Sequence, residues 1–449
     1  MKNQNKKKTL WQHSETPEDW IDDFTAGTDR DFDLYLAPYD ILGSIAHSRM
    51  LFESQLLTED ELNKITRVLV EIYRTVNDHE FSIETGVEDI HSQIELILTR
   101  KLGDTGKKIH TGRSRNDQVL LDLRLFLRDR IRDLVHVTES LFELLIDLSE
   151  RHKEIFMPGY THMQAAMPSS FGLWFAAYAE SLTDDLAQLR TAYALINRNP
   201  LGSAAGYGTS LPIDRQLTTQ LLAFEDLNYN AIYAQMGRGR TERVLSQAMT
   251  SFAETIGKLA ADCILFMSEN FGFIRFPERL TTGSSIMPHK RNPDVFEIIR
   301  ARCNRIKSLP NEIMLICSNL THGYHRDFQI IKEHLIPGLF DLGSCLKRSR
   351  TMIAAIQVNK DLKEDPRYEI LGSVEAVNQL VQKGMPFRDA YLRVSEDIRN
   401  GTFRPPEHVR YTHQGSTGNL CNSRLVEIKN SQISGFKFEE LDRISDLLK

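Results

Sequence analysis

Residues 283–293 read Gly-Ser-Ser-Ile-Met-Pro-His-Lys-Arg-Asn-Pro, so eleven positions carry two hydroxyls, an imidazole, two cations and an amide. The stretch follows Thr281 and Thr282 and leads into 294–300, which has helical spacing. A small-residue loop with Lys290 and Arg291 that opens a helix suits an anion, because free backbone N–H groups and the helix dipole both favour negative charge there. A carboxylate or phosphate substrate is expected. A solvent loop that only caps the helix fits the same spacing.

Four further segments are too polar or too glycine-rich for plain connectors. Thr85 to Gln93 contains His91, either a ligand contact or an ordinary helix-start histidine. His110 to Gln118 reads His-Thr-Gly-Arg-Ser-Arg-Asn-Asp-Gln. There Arg113 and Arg115, beside Asn116, suit planar recognition of carboxylates; a surface arginine pair is the plain alternative. Gly159 to Gln164 sets His162 between the hydroxyl of Thr161 and an amide. An imidazole pKa of ~6.5 makes it a candidate acid or base near neutrality, although a structural histidine has the same signature. Gly323 to Lys332 offers Tyr324, Gln329 and Lys332. The last two are three apart and share a helix face, yet the segment alone reads as a solvated helix start.

No metal-ligand spacing, Walker loop or dinucleotide fingerprint occurs, so neither metal nor cofactor is expected and the chemistry falls to side chains. Anion cradles, a histidine and a serine loop suit proton abstraction beside a carboxylate.

Long helices must position these groups. Thr58 and Glu61 form a capping box ahead of a helix over 58–76. From Asp117 to about Arg151, Leu120, Leu123, Leu127, Ile131, Leu134, Leu141, Leu145 and Leu148 recur at steps of three and four or their sums, with charges between them. One amphipathic helix of roughly 50 Å results. Further helices are expected at about 169–196, 241–271, 294–318 and 328–355, with Pro310 kinking the fourth or ending it early. Alternating strand patterns are scarce. The chain therefore reads as all-α: a central long-helix bundle over 111–360 forming an oligomer core, between an N-terminal helical domain (1–110) and a small C-terminal helical domain (361–449). Phe142, Phe175, Tyr178 and Phe252 add apolar bulk that favours burial against further copies.

The composition is ordinary for a globular protein, with 41% hydrophobic and 26% charged residues. A net charge of −6 excludes nucleic acid and anionic membrane as bulk electrostatic partners. Lys6-Lys7-Lys8 is the one basic run and reads as a frayed terminus. Cys263, Cys303, Cys317, Cys345 and Cys421 form no Cys-x-x-Cys pair, which fits free thiols in a reducing compartment. No apolar run approaches membrane-spanning length, and no secretory leader is evident. A cytoplasmic protein is expected.

The 283–293 loop resembles the signature loop of the fumarase/aspartase superfamily. Within it, the 110–118 nonapeptide resembles the argininosuccinate lyase family, over nearly the whole chain. The resemblance implies helical homotetramers whose active sites join three regions from three subunits, here about 110–118, 157–168 and 283–297. It implies elimination of fumarate from argininosuccinate, a small-molecule substrate, leaving arginine. Ser284 would be the general base, with Lys290 and loop N–H groups stabilising its alkoxide, and Lys290 also the carbanion. His162 would protonate the leaving nitrogen, and Glu297 would pair with His162. His91, Asn116, Thr161 and Asn292 would hold substrate carboxylates, and Arg115, Tyr324, Gln329 and Lys332 would complete the binding set.

The chain departs from the pattern in places. His289-Lys290-Arg291 stands where Gln-Lys-Lys is usual, and Pro-His-Lys-Arg-Asn-Pro is similar to adenylosuccinate lyases, an alternative that the 110–118 motif opposes. A catalytically silent structural relative is the third reading, opposed by the presence of Ser284, Lys290 and His162. The family's Ser-x-Arg-Asp element is replaced near 236–242, where Arg238 or Arg240 would supply its arginine. Its N-terminal element survives only as Leu10-Trp11-Gln12.

Overall fold

Local sequence signals set most helix boundaries in the computed structural model, which describes residues 19–407 and 409–449. Lys6-Lys7-Lys8 and Leu10-Trp11-Gln12 lie outside the described residues. The helices that matter for the site start with Asp29–Asp33 (α1) and Ala37–Glu53 (α2). Glu59–Asn77 (α3) begins at the expected Thr58–Glu61 capping box. Ile90–Leu102 (α4) is capped by the Asp89 carboxylate, which accepts from the Ser92 N–H. The long helix, Arg115–Arg151 (α5), spans 37 residues and starts at a second capping box, Ser114 with Asp117. The motif read as an anion cradle is therefore also a helix cap.

After α5 come two strands, Phe156–Thr161 (β1) and Gln164–Ser170 (β2). They form an antiparallel hairpin with a bulge at Gly159–Tyr160. The sequence gives no strand signal here, because the segment carries Pro158, Gly159 and Pro168 and no alternating apolar pattern. Phe171–Ile196 (α6) and Arg240–Met267 (α7) follow. Thr282–Gly283 (β3) pairs antiparallel with Arg291–Asn292 (β4), so the signature loop is tied at its base. Asp294–Ile306 (α8) ends early, and Pro310 sits in the first turn of Leu309–Ile316 (α9), where its missing N–H costs nothing. Ile330–Ile353 (α10), Ser373–Gln382 (α11), Phe387–Arg399 (α12) and Asn422–Ser434 (α13) complete the set.

Helices α5, α6, α7, α8 and α10 pack on one another around a single large core, and the fold is all-α. A second core joins α2, α3 and α4 to α5 through Ile41, Ile65, Ile94 and Leu121. A small third cluster, Val377, Ala390 and Val394, holds α11 to α12. Beyond it the chain returns: Leu425 and Phe436 enter the main core and Leu447 the second.

One argument from the sequence is corrected. Phe142, Phe175, Tyr178 and Phe252 are all buried within the chain, at 0, 0, 6 and 1% exposure, so they ask for no partner. Each contributes roughly 1.5–3 kcal/mol to the chain's own core. The large exposed apolar side chains lie elsewhere, among them Ile286, Ile298, Leu315 and Ile330.

Candidate active site

A cavity of about 540 Å³ lies where α1, the starts of α4 and α5, and segment 324–332 meet. Six of the residues singled out from the sequence line it: His91, Arg115, Asn116, Tyr324, Gln329 and Lys332.

The α5 cap sets the cavity floor. Asp117 is fully buried; one carboxylate oxygen accepts from Ser114 N–H at 2.8 Å, and the other from Gly202 and Ala204 N–H, both at 2.9 Å. Burial pushes its pKa up to about 6, against those hydrogen bonds. Asp117 thus ties the helix start to the 202–204 turn and aims Arg115 and Asn116 at the cavity.

The arginines are not free anion forks. Arg113 is buried and donates to Ser44 Oγ at 3.0 Å. Arg115 binds Glu88 at 2.7 Å and Asp89 at 2.8 Å, and donates to Ser92 Oγ at 3.0 Å. The paired reading is corrected to one structural arginine and one held by acids.

Lys332 is corrected too. It is 2% exposed, not solvated, and its ammonium sits between Asp29 (2.8 Å) and Asp33. Burial would lower its pKa, but Asp33 and Asp29 outweigh that and raise it. Gln329 donates to Asp29 at 2.9 Å from the same face. Removing the ammonium leaves two acids unpaired at a buried position. Lys332→Met is therefore expected to lose about 3–5 kcal/mol of stability near neutrality. Burial raises the Asp33 pKa, so the orphaned acid takes a proton early and the penalty shrinks as pH falls. Urea midpoints of both proteins near pH 5 and pH 8 check this; equal losses at both would show that the charge is not the cause.

The other six candidates do not line this cavity. Thr161 and His162 are exposed at the tip of the β1–β2 hairpin. His162 (φ 53°) and Met163 (φ 59°) are the two central residues of its turn, between paired Thr161 and Gln164. Two-residue turns of this kind want glycine or asparagine. Holding two bulkier side chains left-handed costs about 1 kcal/mol or more each, and such strain concentrates at functional sites.

Ser284 and Lys290 lie on the excursion between β3 and β4, with Asn292 at its base, where its Nδ2 donates to Gly283 O at 3.4 Å. Ser284 Oγ accepts from the N–H groups of Met287 (3.2 Å) and Ile286 (3.4 Å). Such N–H groups are the donors an alkoxide needs. Glu297 is exposed on the first turn of α8, and no hydrogen bond or ion pair joins it to His162 among the described residues.

Sequence matches decide the family. A family model described as Lyase matches residues 15–307. Argininosuccinate lyase of Parabacteroides distasonis is 54% identical over 433 residues, covering 96% of this chain and 97% of its own length. The enzyme of Bacteroides fragilis is 53% identical, covering 98% of each, and that of Thermotoga neapolitana 39%, covering 86% and 97%. The chain belongs to the argininosuccinate lyase family.

Solved structures extend the family's fold. EDDS lyase in complex with formate matches with a TM-score of 0.74 at 20% identity, covering 97% of this chain and 94% of that one. Class II fumarase from Schistosoma mansoni matches at 0.69 and 16% identity, covering 90% and 91%. The family assignment does not favour the adenylosuccinate alternative, despite His289 and Arg291.

Burial separates the two arginines of the divergent 236–242 segment. Arg240 is exposed, whereas Arg238 is 3% exposed and lines the cavity. Its guanidinium lies 5.3 Å from the Tyr324 ring centroid and 5.6 Å from that of Phe328, within cation–π reach of both. None of its three nitrogens makes a hydrogen bond among the described residues. Gly239 permits this placement: its φ is +77°, and a Cβ there would collide with Cys317 Sγ. Asp29, Asp33, Glu88 and Asp89 are further cavity residues that sequence reading did not select. Glu88 and Asp89 lie within the Thr85–Gln93 segment beside His91, whereas the only signal for Asp29 and Asp33 is the acidic alternation of 29–33, which also fits a solvated turn.

Proposed function

We propose that this protein catalyses the reversible β-elimination of argininosuccinate to arginine and fumarate. The observation that carries the reading is the near-full-length match to argininosuccinate lyases, and the 110–118 motif opening onto a charged cavity supports it. The substrate bears carboxylates and a guanidinium, and the cavity offers groups of both signs: Arg238, Lys332 and His91 against Asp29, Glu88 and Asp89.

In this reading Ser284 removes a proton from the carbon beside a succinyl carboxylate. The electron pair passes into that carboxylate as an aci-carboxylate, stabilised by Lys290. As the double bond of fumarate forms, the C–N bond breaks and His162 gives its proton to the leaving nitrogen. Glu297 holds the His162 tautomer. Asn116, Thr161, Asn292 and His91 take carboxylates, and Arg115, Tyr324, Gln329 and Lys332 shape the pocket for the remainder. The steps use side chains alone, with no cofactor or metal.

The reading includes a homotetramer with shared sites, because half of these residues lie away from the cavity of their own chain. Exposed Ile286 and Ile298, flanking the Ser284 loop and Glu297, suit coverage by a neighbouring subunit. No helix among the described residues is long and apolar enough to cross a membrane, and a cytoplasmic location is part of the proposal.

One assay tests the reaction. Purified protein is offered argininosuccinate and adenylosuccinate while fumarate absorbance is followed. Fumarate from argininosuccinate alone is expected. Release from adenylosuccinate alone overturns the reading, and release from neither favours a silent relative.

A further inference from the structure

His91 sits at the back of the cavity, 6% exposed, on a foundation of two acids from other helices. Its Nδ1 lies 3.0 Å from Asp40 Oδ1 on α2 and 3.5 Å from Asp122 Oδ2 on α5. Asp40 is 2% and Asp122 1% exposed. Gly43 makes this approach possible, since a Cβ there would meet Leu121 at 2.7 Å and Asp122 at 3.6 Å.

Asp40 Oδ2 and both Asp122 oxygens accept no hydrogen bond from an N–H or O–H among the described residues. Two ionised carboxylates buried this deeply, with oxygens within 4.8 Å of each other, would repel. A single proton removes the problem: a neutral Asp122 donates to Asp40, and Asp40 remains the anion that faces the imidazole. Nε2 makes no hydrogen bond among the described residues, and it is the ring nitrogen left for the cavity.

We propose that Asp40 and Asp122 share one buried proton and so hold His91 as an imidazolium, whose Nε2–H binds a carboxylate of the substrate. The identity of that substrate rests on the elimination reading above; the charge state does not. Asp40 and Asp122 are positioning residues that act through His91.

The surrounding charges agree. Burial would lower the His91 pKa, but the hydrogen bond and charge of Asp40, then Asp89 and Asp33, raise it overall. Burial and the charge of Asp40 raise that of Asp122, against Arg113. His110 opposes the imidazolium, Glu95 faces Asp40, and Lys332 is neutralised by Asp33 and Asp29. A raised His91 pKa means that the charged form, complete at low pH, is lost only as pH rises through the raised value.

Protein labelled with 15N-histidine, its His91 signal assigned by loss in His91→Asn, reads the ring charge without turnover. We expect the wild-type ring to keep its charge to higher pH than a free histidine and to carry it at pH 7. Asp122→Asn keeps it charged, because the amide N–H replaces the acid proton toward Asp40. Asp40→Asn removes the anion at Nδ1, and because burial, the largest cause of its raised pKa, keeps Asp122 protonated, the ring is left neutral at about pH 8. Its KM for argininosuccinate then rises about tenfold more at pH 8 than at pH 6, with kcat changed less than about threefold.

A neutral His91 in the wild type at pH 7 overturns the proposal. So do identical His91 spectra in the two asparagine variants, or one equivalent of divalent metal that Asp122→Asn loses. If Asp40→Asn does not fold, wild type and Asp122→Asn still decide. A charged His91 in a protein that cleaves no argininosuccinate counts against the elimination reading alone.

Discussion

Ser284→Ala is expected to lower kcat for fumarate release by about 10²–10⁴-fold, the range a positioned general base supplies. KM should change little, because a base acts on the C–H bond in the transition state and not on bound substrate. Stability should be spared. Among the described residues Ser284 packs into no core cluster, and its Oγ accepts only the Ile286 and Met287 N–H groups within a largely exposed loop. Those N–H groups return to water when the oxygen is removed, so the loss is within about 0.5 kcal/mol. Steady-state kinetics with a thermal melt check both halves. A kcat near wild type would remove Ser284 as the base. Lost activity with a melting temperature lowered by several degrees would show that the loop supports the fold instead.

That prediction draws on a part of the site legible in the sequence, and it marks where legibility stopped. Helix starts were readable because capping is local: Thr58 with Glu61 needs only spacing three. The bundle was readable because the leucine steps from 120 to 148 leave one apolar stripe. The β1–β2 hairpin was not. Its turn is His162-Met163 in place of a glycine-bearing pair, so the usual hairpin signal is absent. The burial of Lys332 was not readable either, because its partners Asp29 and Asp33 lie about 300 positions away on a five-residue helix with no distinctive pattern. The same holds for the Asp40–His91–Asp122 cluster, where three helices bring together residues that each look like an ordinary polar position. Arg238 and Arg240 differ by two positions in a glycine-rich run, and only burial separates them.

Mixing two inactive variants should restore activity if sites are shared. Neither 157–168 nor 283–297 contributes to the cavity of its own chain. Yet the mechanism proposed above needs an acid at His162 and a cation at Lys290 around one substrate. On that reading the β1–β2 tip and the Ser284 loop reach a cavity from other subunits, and each variant damages a different contribution. The His162→Asn and Lys290→Ala proteins are each expected to be nearly inactive on their own. When subunits exchange at random in equal amounts, a site draws an intact His162 from half of the subunits and an intact Lys290 from half. If the two come from different chains, about one site in four is whole, and specific activity recovers toward roughly 25% of wild type. If both come from one chain, no mixture contains a whole site, and recovery stays at the background of the two variants. The measurement is fumarate release after mild denaturation and refolding of the mixture, with exchange verified by mass on differently tagged chains. Recovery near a quarter supports contribution from separate subunits, and verified exchange without recovery places His162 and Lys290 of each site on a single chain.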